Sequence, residues 1–269
     1  MDIDILTIEA HHNASIQSVT DSLSGTDVDN ILDGFLSTYW SPPDTAGDTI
    51  EIDCGVTPTA IDAIGFWGIT YTAGTATMEV AITQSDTATT GYGSNIVAVG
   101  NKYPWQTTRF GIIPTTSQIT KRYIKLALSG YSEVPGIGQI FLLRKRALDL
   151  GPQFPYNEDP EYLNSGYNTP QGGQIIAPEA LNPVTRYNRK YLLNGSTPIS
   201  ALQGIFNACQ GRRYWFVLDN SPTDGALLSD GVLCRFDQDK LDWKYKAYQF
   251  AEVALKFSSV PTIDTDENY

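Results

Sequence analysis

Short apolar runs recur along the whole chain and are separated by clusters of Gly, Pro, Asn, Asp and Thr. The runs are rich in β-branched and aromatic residues, which is typical of an all-β protein. Two of them, Met78–Ile82 and Tyr123–Leu128, are apolar at most positions. Such strands are buried on one face and nearly so on the other, as in a β-sandwich. The strands predicted in the first half are 49–53, 60–70, 76–83, 96–99, 109–113, 122–129 and 138–143.

Helical periodicity is sparse, and its best stretch lies between Ile199 and Ala208. Thr197 is predicted to cap this helix, Pro198 to occupy its first position and Gly211 to lie beyond its end. A short helical turn is also predicted at 30–35. The apolar stripe of the helix is formed by Ile199, Leu202, Ile205 and Phe206. The strands predicted around it are 187–193, 214–218, 231–236, 243–247 and 251–257.

The composition changes near residue 149, where a basic cluster gives way to a stretch rich in Pro, Gly, Asn and Tyr. This predicts one domain at 1–149, an extended arm at 150–184 and a second domain at 185–269. Apolar residues in such a segment favour an interaction arm, and an irregular loop packed on its own domain is the alternative. The residues predicted to contact a neighbouring subunit are Tyr156, Tyr162, Tyr167, Ile175 and Ile176.

The charge of the chain restricts its partners. It has 18 Lys and Arg against 30 Asp and Glu, which gives a formal net charge of −12. Nucleic acids and anionic membrane surfaces both require clustered basic residues, so neither is an expected partner. No apolar run is long enough to span a membrane, and the acidic start differs from a secretory signal, so we expect a soluble protein that is not exported by that route.

Residues that could perform catalysis are few. The only histidines are His11 and His12, and no glycine-rich nucleotide-binding motif is present. Asp237, Asp239 and Asp242 favour a solvated turn, with weak cation binding as the alternative. We therefore predict that the protein is not an enzyme and has no cofactor. Three cysteines without metal-site spacing are predicted to be buried thiols, namely Cys54, Cys209 and Cys234.

Three segments of the first half occur in an order that resembles a discoidin-like, galactose-binding domain. The first is Asn30–Gly34 followed by Thr38–Ser41, and the second is Thr49–Gly55, in which Asp53 is placed to accept a backbone N–H of the turn. The third comprises the closing strands, Arg122–Leu126 and Ile137–Leu142. The resemblance covers about residues 28 to 143 and implies a jelly-roll β-sandwich with Trp40 and the Asp33–Gly34 turn as scaffold.

In this family the specificity for sugar or lipid comes from loops at one end of the sandwich. The corresponding loops here are 83–93, 100–108 and 130–135. Trp105 would stack on a sugar ring or, alternatively, pack into its own domain. Many family members hold calcium near the Asp-Gly turn, but Gln139 stands where they have a carboxylate, so no metal is predicted. The residues predicted to bind ligand are Tyr92, Tyr103, Trp105 and Tyr131.

The second half resembles the tail-tube-derived domain of phage distal tail and minor tail proteins over about residues 185 to 260. The order is a strand, a helix and an antiparallel sheet. The resemblance implies a second β-sandwich or barrel that carries one α-helix. The matching residues are Phe206, Gly211, Arg212, Tyr214, Phe216, Asp219, Arg235, Phe236, Val253, Leu255 and Phe257.

Together the two resemblances predict a mainly β structural virion protein of a phage tail tip or baseplate. Its second domain would form or decorate a homo-oligomeric ring, and its first would be an accessory carbohydrate-binding-like domain. The expected partners are other tail proteins and a host-surface glycan, with assembly in the host cytoplasm. The alternative is a non-catalytic carbohydrate-binding module of an adhesin or of an enzyme that acts on the cell wall.

Overall fold

The computed structural model describes residues 4–8, 14–19, 28–33, 38–69, 77–96, 102–104, 110–131, 133–146, 153–161, 164–168, 174–178, 184–209, 216–219, 229–247 and 250–259. The chain divides into two compact units. The N-terminal unit comprises Ile3–Ala147 and Val217–Gly231. The C-terminal unit comprises Leu148–Phe216 and Val232–Tyr269, together with Met1–Asp2.

The described elements are mainly β-strands, as predicted. In chain order they are β1 (Asp4–Thr7), β2 (Ser15–Val19), a 3-10 turn (Val28–Ile31), β3 (Asp48–Asp53), β4 (Ile61–Trp67), β5 (Thr77–Ser85), β6 (Lys102–Pro104), β7 (Phe110–Ile119), β8 (Tyr123–Ser129), β9 (Gln139–Arg146), β10 (Gln153–Glu161), β11 (Asn164–Asn168), β12 (Gln174–Pro178), β13 (Val184–Asn194), helix α1 (Ser196–Ala208), β14 (Phe216–Asp219), β15 (Ser229–Phe236), β16 (Lys244–Ala247) and β17 (Phe250–Ser259). Among these residues no helix is both long and apolar enough to cross a membrane.

Two antiparallel sheets build the N-terminal unit. One has the order β2-β3-β8-β5-β6, and the other contains β1-β9-β4-β7. Ile50, Leu126 and Ile64 are among the side chains that both sheets bury in one apolar core. Alternate positions of β3 and β8 face this core, because successive side chains of a strand point to opposite faces. The predicted β-sandwich is thus confirmed.

Several N-terminal elements differ from the prediction. β1 and β2 were not predicted, although β1 pairs with β9 through Ile5 opposite Arg146. The predicted strand at 96–99 is not formed at Ile96, which lies in a bend, and 97–99 lie outside the described residues. The turn predicted at 30–35 is found as the 3-10 turn Val28–Ile31, which begins two residues earlier and ends four residues earlier than predicted.

In the C-terminal unit, β13 pairs with β10 and with β17, and β17 also pairs with β15 and β16. An aromatic cluster forms part of its core. The Phe206 and Phe236 ring centroids are 5.2 Å apart, and those of Tyr187 and Phe257 are stacked at 4.8 Å. Since Phe206 lies on α1 and the other three lie on strands, these contacts pack the helix on the sheet.

Helix α1 begins at Ser196 and buries Pro198, Leu202, Ile205 and Phe206 on one side. The prediction of Thr197 as the cap is wrong. Gly195 takes the cap position with a φ of 100°, and no side chain caps the helix. Glycine adopts this conformation at little steric cost, so the chain turns directly from β13 into the helix. The helix ends at Ala208, as predicted, and Gly211 lies outside the described residues.

The segment predicted as an extended arm contains ordered strands. β10 pairs with β13, and β11 and β12 form a separate two-stranded sheet. Pro155 and Pro160 fit into β10 because it lies at the edge of its sheet, where a missing N–H breaks no ladder. Residues 153–161, 164–168 and 174–178 are therefore paired strands and not an irregular loop, and the role of this segment as an interaction arm stays a prediction.

Candidate ligand-binding site

Trp40 is a structural residue of the N-terminal unit. Its side chain is 1% exposed, and its backbone N–H and C=O exchange hydrogen bonds with Ile137 at 2.9 and 2.8 Å. The neighbouring Ser41 hydroxyl donates to the carbonyl of Pro135 at 3.0 Å. These bonds tie the segment before β3 to the segment before β9. The predicted burial of Trp40 is confirmed.

Gln139 fills the position at which the resemblance would place a calcium ligand. Its buried amide Nε2 donates to the Asn30 carbonyl and, at 2.9 Å, to Oδ1 of Asp33. The Thr38 hydroxyl donates to Oδ2 of Asp33 at 2.8 Å. A donor nitrogen therefore points at these oxygens, and only one of the three side chains, Asp33, is a carboxylate. This donor set does not fit calcium, which prefers several anionic oxygens.

The Asp53 carboxylate links the end of β3 to the start of β8. It accepts hydrogen bonds from Nε and Nη2 of Arg122 at 2.9 and 2.7 Å, and from the Gly55 N–H at 2.8 Å. The Gly55 bond confirms the turn predicted from the sequence. The Arg122 bond, above all, and the Gly55 bond hold the pKa of Asp53 below its usual value, although burial opposes them.

A polar depression of about 390 Å³ lies beside this end of β8. Its walls come from the end of β5, the loop that follows β5, β7, and the turn between β7 and β8. No aromatic side chain is among its described lining residues, which are Gln84, Ser85, Asp86, Gly91, Gly93, Ser94, Asn95, Ile96, Ser117 and Lys121. Hydrogen bonds, rather than ring stacking, would have to hold a ligand there.

Hydrogen bonds within the protein hold these walls in place. Oε1 of Gln84 accepts from the backbone N–H groups of Thr120 and Lys121 at 2.9 and 3.1 Å. The Ser85 hydroxyl donates to the Thr90 carbonyl at 2.7 Å. At the rim, the Lys121 ammonium pairs with the Asp86 carboxylate, and both are exposed. The depression is thus pre-organised and its two charges balance each other.

Three polar side chains that line the depression are exposed: Ser94, Asn95 and Ser117. Asn95 offers both a donor and an acceptor, and each serine hydroxyl can do the same. The Gln84 Nε2 group adds a donor, because its Oε1 is already used by the backbone. This is a set of groups suited to a polyhydroxylated ligand.

Below the loop lies a buried carboxylate, Glu51, on the outer side of β3. Its oxygens accept the Thr89 N–H at 3.2 and 3.0 Å, and its residue is 4% exposed. Tyr92 packs nearby, with the Lys125 ammonium 5.4 Å from its ring centroid. Burial and the Glu51 carboxylate raise the pKa of Tyr92, so its phenol stays neutral.

Of the four residues predicted to bind ligand, the structure describes three, and it does not bring these three together. Tyr92 lies near the Ser85 end of β5, but its hydroxyl is buried. Tyr103 of β6 is opposite Met78, toward the other end of β5. Tyr131 follows the far end of β8 and is only 7% exposed, and its hydroxyl donates to Oδ2 of Asp48 at 3.4 Å and to the Leu128 carbonyl at 3.3 Å. Trp105 lies outside the described residues.

Four of the five residues predicted to contact a neighbouring subunit lie on strands β10, β11 and β12. Tyr156 belongs to β10, and Tyr162 lies outside the described residues. Tyr167 of β11 is opposite Ile175 of β12, and Ile176 is opposite Gly166. Whether these residues contact another subunit stays a prediction.

Two further predictions concern acidic and thiol side chains. Asp237, Asp239 and Asp242 are exposed in a turn, in which Asp237 accepts from the Ser258 hydroxyl at 2.9 Å and Asp242 pairs with Lys240 at 3.4 Å. Within the described part of the chain, no cluster of three or more His, Cys, Asp or Glu side chains could hold a metal ion. The three cysteines are buried, as predicted.

The chain is similar to carbohydrate-binding modules of family 32. No protein-family model and no curated protein sequence matches it. One similar structure is CpGH89CBM32-6 of Clostridium perfringens, at 19% identity, a TM-score of 0.39, and 52% and 98% coverage of the present chain and of that chain. The family 32 module of C. perfringens NanJ in complex with galactose is 13% identical with a TM-score of 0.37. The match covers 52% of the present chain and 99% of that module. The module of AlyQ in complex with 4,5-unsaturated mannuronic acid is 25% identical with a TM-score of 0.35. The match covers 47% of the present chain and 93% of that module.

The sequence did not reveal the depression or the buried Glu51. The depression joins residues from β5, from its following loop and from the β7–β8 turn, which no local pattern connects. One usable signal was present, since the loop 86–95 is rich in Ser, Thr, Asn and Gly next to a strand end. That composition marks a loop, but it does not show which groups the loop buries.

Proposed function

We propose that the N-terminal unit is a non-catalytic carbohydrate-binding module and that the polar depression is its glycan site. The observation that supports this most directly is the set of exposed amide and hydroxyl groups on pre-formed walls. Sugars offer many hydroxyls, each of which is both donor and acceptor. Amide side chains such as Asn95 match that chemistry, and a rigid site reduces the entropy lost on binding.

The charges favour a neutral glycan. Lys121 and Asp86 neutralise each other at the rim, so the depression offers no uncompensated cation for a sugar acid. The net charge of −12 disfavours an anionic ligand further, because long-range repulsion slows its approach.

A binding role agrees better with this site than hydrolysis does. Glycoside hydrolysis commonly needs two carboxyl groups on either side of the scissile bond. Among the described lining residues, Asp86 is the only carboxylate, and Lys121 is paired with it. The site therefore has groups for recognition without a matched acid and nucleophile.

The test is a screen of the full chain on an array of neutral and anionic glycans, including galactose and fucose, followed by titration with the glycan bound most strongly. Asn95→Ala and Ser117→Ala should each weaken binding by about tenfold, the loss expected for one hydrogen bond. Asn188→Ala, an exposed asparagine on β13 of the C-terminal unit, is the matched control and should bind as the wild type does.

Two results would contradict the proposal. One is that no glycan on the array is bound. The other is that Asn95→Ala and Ser117→Ala bind the selected glycan as tightly as the Asn188→Ala control.

A second candidate concerns the C-terminal unit: the structural role in a phage tail tip or baseplate. The order of β13, α1 and the antiparallel strands β15, β16 and β17 supports it, since this is the order that the tail-tube resemblance implied. A tail component would assemble into a homo-oligomeric ring with other tail proteins in the virion. Glycan binding by the N-terminal unit is compatible with that role.

The second candidate is tested by light scattering and electron microscopy of the purified full chain. A ring of several copies is the expected result. Removing residues 164–178 deletes β11 and β12 but leaves β10 paired with β13, so the chain should fold and fail to form the ring. A chain that stays monomeric at all concentrations would contradict the ring-forming role. A deletion variant that assembles normally would show that β11 and β12 do not make the contact between subunits.

A further inference from the structure

Thr89 has an unfavourable backbone conformation. Its φ is 61°, and it is the only non-glycine residue with a positive φ in the described part of the chain. A left-handed conformation is rare for a β-branched residue, because its side chain is close to the backbone there. Such a residue persists only when its surroundings hold it in place.

The buried carboxylate of Glu51 provides a hold on this residue. Both of its oxygens lie within hydrogen-bond distance of the Thr89 N–H, at 3.2 and 3.0 Å. A hydrogen bond to a charged acceptor is stronger than one between neutral groups. Glu51 belongs to β3, where it is opposite Lys125 of β8, so the hold is attached to the central strands of the sheet.

The loop is fixed at two points on either side of its left-handed turn. Glu51 holds Thr89 from the sheet, and the Ser85 hydroxyl holds the Thr90 carbonyl at 2.7 Å. Immediately beyond these points, Gly91 and Gly93 form part of the wall of the depression. The conformation of residue 89 therefore sets where that wall stands.

We infer that Glu51 is a positioning residue for the ligand site, acting by holding Thr89 in the left-handed conformation. It is not among the residues that line the depression, so it acts through the loop and not on the ligand. The link to ligand binding rests on the proposed glycan function. The link between Glu51 and Thr89 does not, and it is measured separately.

The experiment compares Glu51→Gln, Thr89→Gly and the double variant in the full chain. The first readout needs no ligand: amide hydrogen exchange at residues 87 and 89, whose N–H groups donate to the Ser85 hydroxyl and to Glu51, measured by NMR relative to the intrinsic rate of each variant. Glu51→Gln should speed their exchange by about tenfold, since it removes one charged hydrogen bond. The same change should have a smaller effect when residue 89 is glycine, because glycine adopts a positive φ without being held.

Thr90→Gly is the matched control, with the same change one residue later, where φ is not positive. Glu51→Gln should speed exchange equally with or without it. Additive effects of Glu51→Gln and Thr89→Gly would overturn the inference, as would unchanged exchange in Glu51→Gln. Should Glu51→Gln fail to fold, the two variants Thr89→Gly and Thr90→Gly are compared instead. Slower exchange in Thr89→Gly than in Thr90→Gly supports the inference, and equal or faster exchange overturns it.

The second readout is affinity for the glycan that the wild type binds most strongly on the array. Glu51→Gln should weaken binding by about tenfold, and Thr89→Gly should restore part of that loss in the double variant. If the wild type binds no glycan but the exchange data behave as expected, the proposed function fails and the positioning by Glu51 stands. If the wild type binds and Glu51→Gln binds equally well, the positioning inference fails and the proposed function stands.

Discussion

The amide nitrogen of Gln139 lies 2.9 Å from a carboxylate oxygen of Asp33, a residue 106 positions earlier in the chain. The bond joins the first residue of β9 to the Asp-Gly turn that precedes Trp40. The same nitrogen donates to the Asn30 carbonyl, so one side chain satisfies two acceptors of the turn. The Asp-Gly turn is therefore fixed to the start of β9 by the neutral amide of Gln139.

Gln139→Glu should destabilise the N-terminal unit at neutral pH. The change places a second carboxylate beside Asp33 and leaves the Asn30 carbonyl without this donor. We expect a loss of about 2 to 4 kcal/mol, because a buried hydrogen-bond donor is replaced by a like charge. Urea unfolding at pH 7 measures it, and added calcium should recover part of the loss by binding the new oxygen set.

Gln118→Glu is the control for this change. The Gln118 amide also donates to a carboxylate, Asp62, at 2.8 Å, but it is exposed. Water screens the new charge there, so the loss should stay below about 1 kcal/mol. Equal losses in the two variants, or a calcium effect on the wild type as large as on Gln139→Glu, would contradict this account of Gln139.

Trp40→Ala should lower the free energy of unfolding by about 3 to 5 kcal/mol, as expected for removing a large buried aromatic side chain. Tyr39→Ala, at the adjacent residue, should change it by less than about 0.5 kcal/mol, since Tyr39 is 54% exposed. Chemical unfolding followed by tryptophan fluorescence or circular dichroism compares the two. Similar stabilities for both variants would show that Trp40 is not part of the scaffold.

Asp53 should make stability depend on pH below about 4. The bonds from Arg122 lower its pKa in the folded state beneath the usual 3.8, so the folded protein keeps this carboxylate ionised to a lower pH than the unfolded chain does. Its contribution is complete above the unfolded-state pKa and is lost as the pH falls through the folded-state pKa.

The Asp53→Asn variant should therefore be less stable than the wild type at pH 7, by about 1 to 2 kcal/mol after allowance for the partly exposed Arg122. The difference should shrink as the pH falls below 4, which urea unfolding at a series of pH values measures. A difference that stays constant down to pH 2 would show that the ion pair does not contribute through ionised Asp53.

Cys54 should resist alkylation in the folded protein. Burial, with a smaller effect of the Asp53 charge, raises the pKa of its thiol to about 12. At pH 8 this leaves about a thousandfold less thiolate than an ordinary cysteine has, and the thiolate is the reactive form. Mass spectrometry after iodoacetamide treatment should find Cys54 unmodified in the native protein and modified in urea. Rapid native labelling would contradict its burial.

Asp86→Asn should shift glycan selectivity toward anionic sugars. It removes the carboxylate that balances Lys121 at the rim of the depression. Because both groups are exposed, we expect a change of about two- to fivefold in the ratio of anionic to neutral glycan binding, greatest at low salt. Lys121→Met should shift the ratio the opposite way. An unchanged ratio in both variants would place the bound glycan elsewhere on the protein.

Local patterns in the sequence determined the strands of the sandwich and some of the bonds that end them. The alternation in β3 and β8 marks which residues face the core, because neighbouring side chains of a strand point to opposite faces. The turn after β3 is equally local, since the Asp53 carboxylate reaches the N–H only two residues on. Trp40 is too large and apolar to be left in water beside a turn, and it is buried accordingly.

Only the tertiary structure decided the roles of Glu51 and Gln139 and the grouping of Val217–Gly231 with the N-terminal unit. By its place in the alternation of β3, Glu51 looks like a solvent-facing residue. It is buried because a loop 38 residues away supplies the Thr89 N–H that its charge requires. A polar side chain such as Glu51 is buried where a distant segment provides its hydrogen-bond partner. Neither the spacing nor the composition of the chain shows which segment that is.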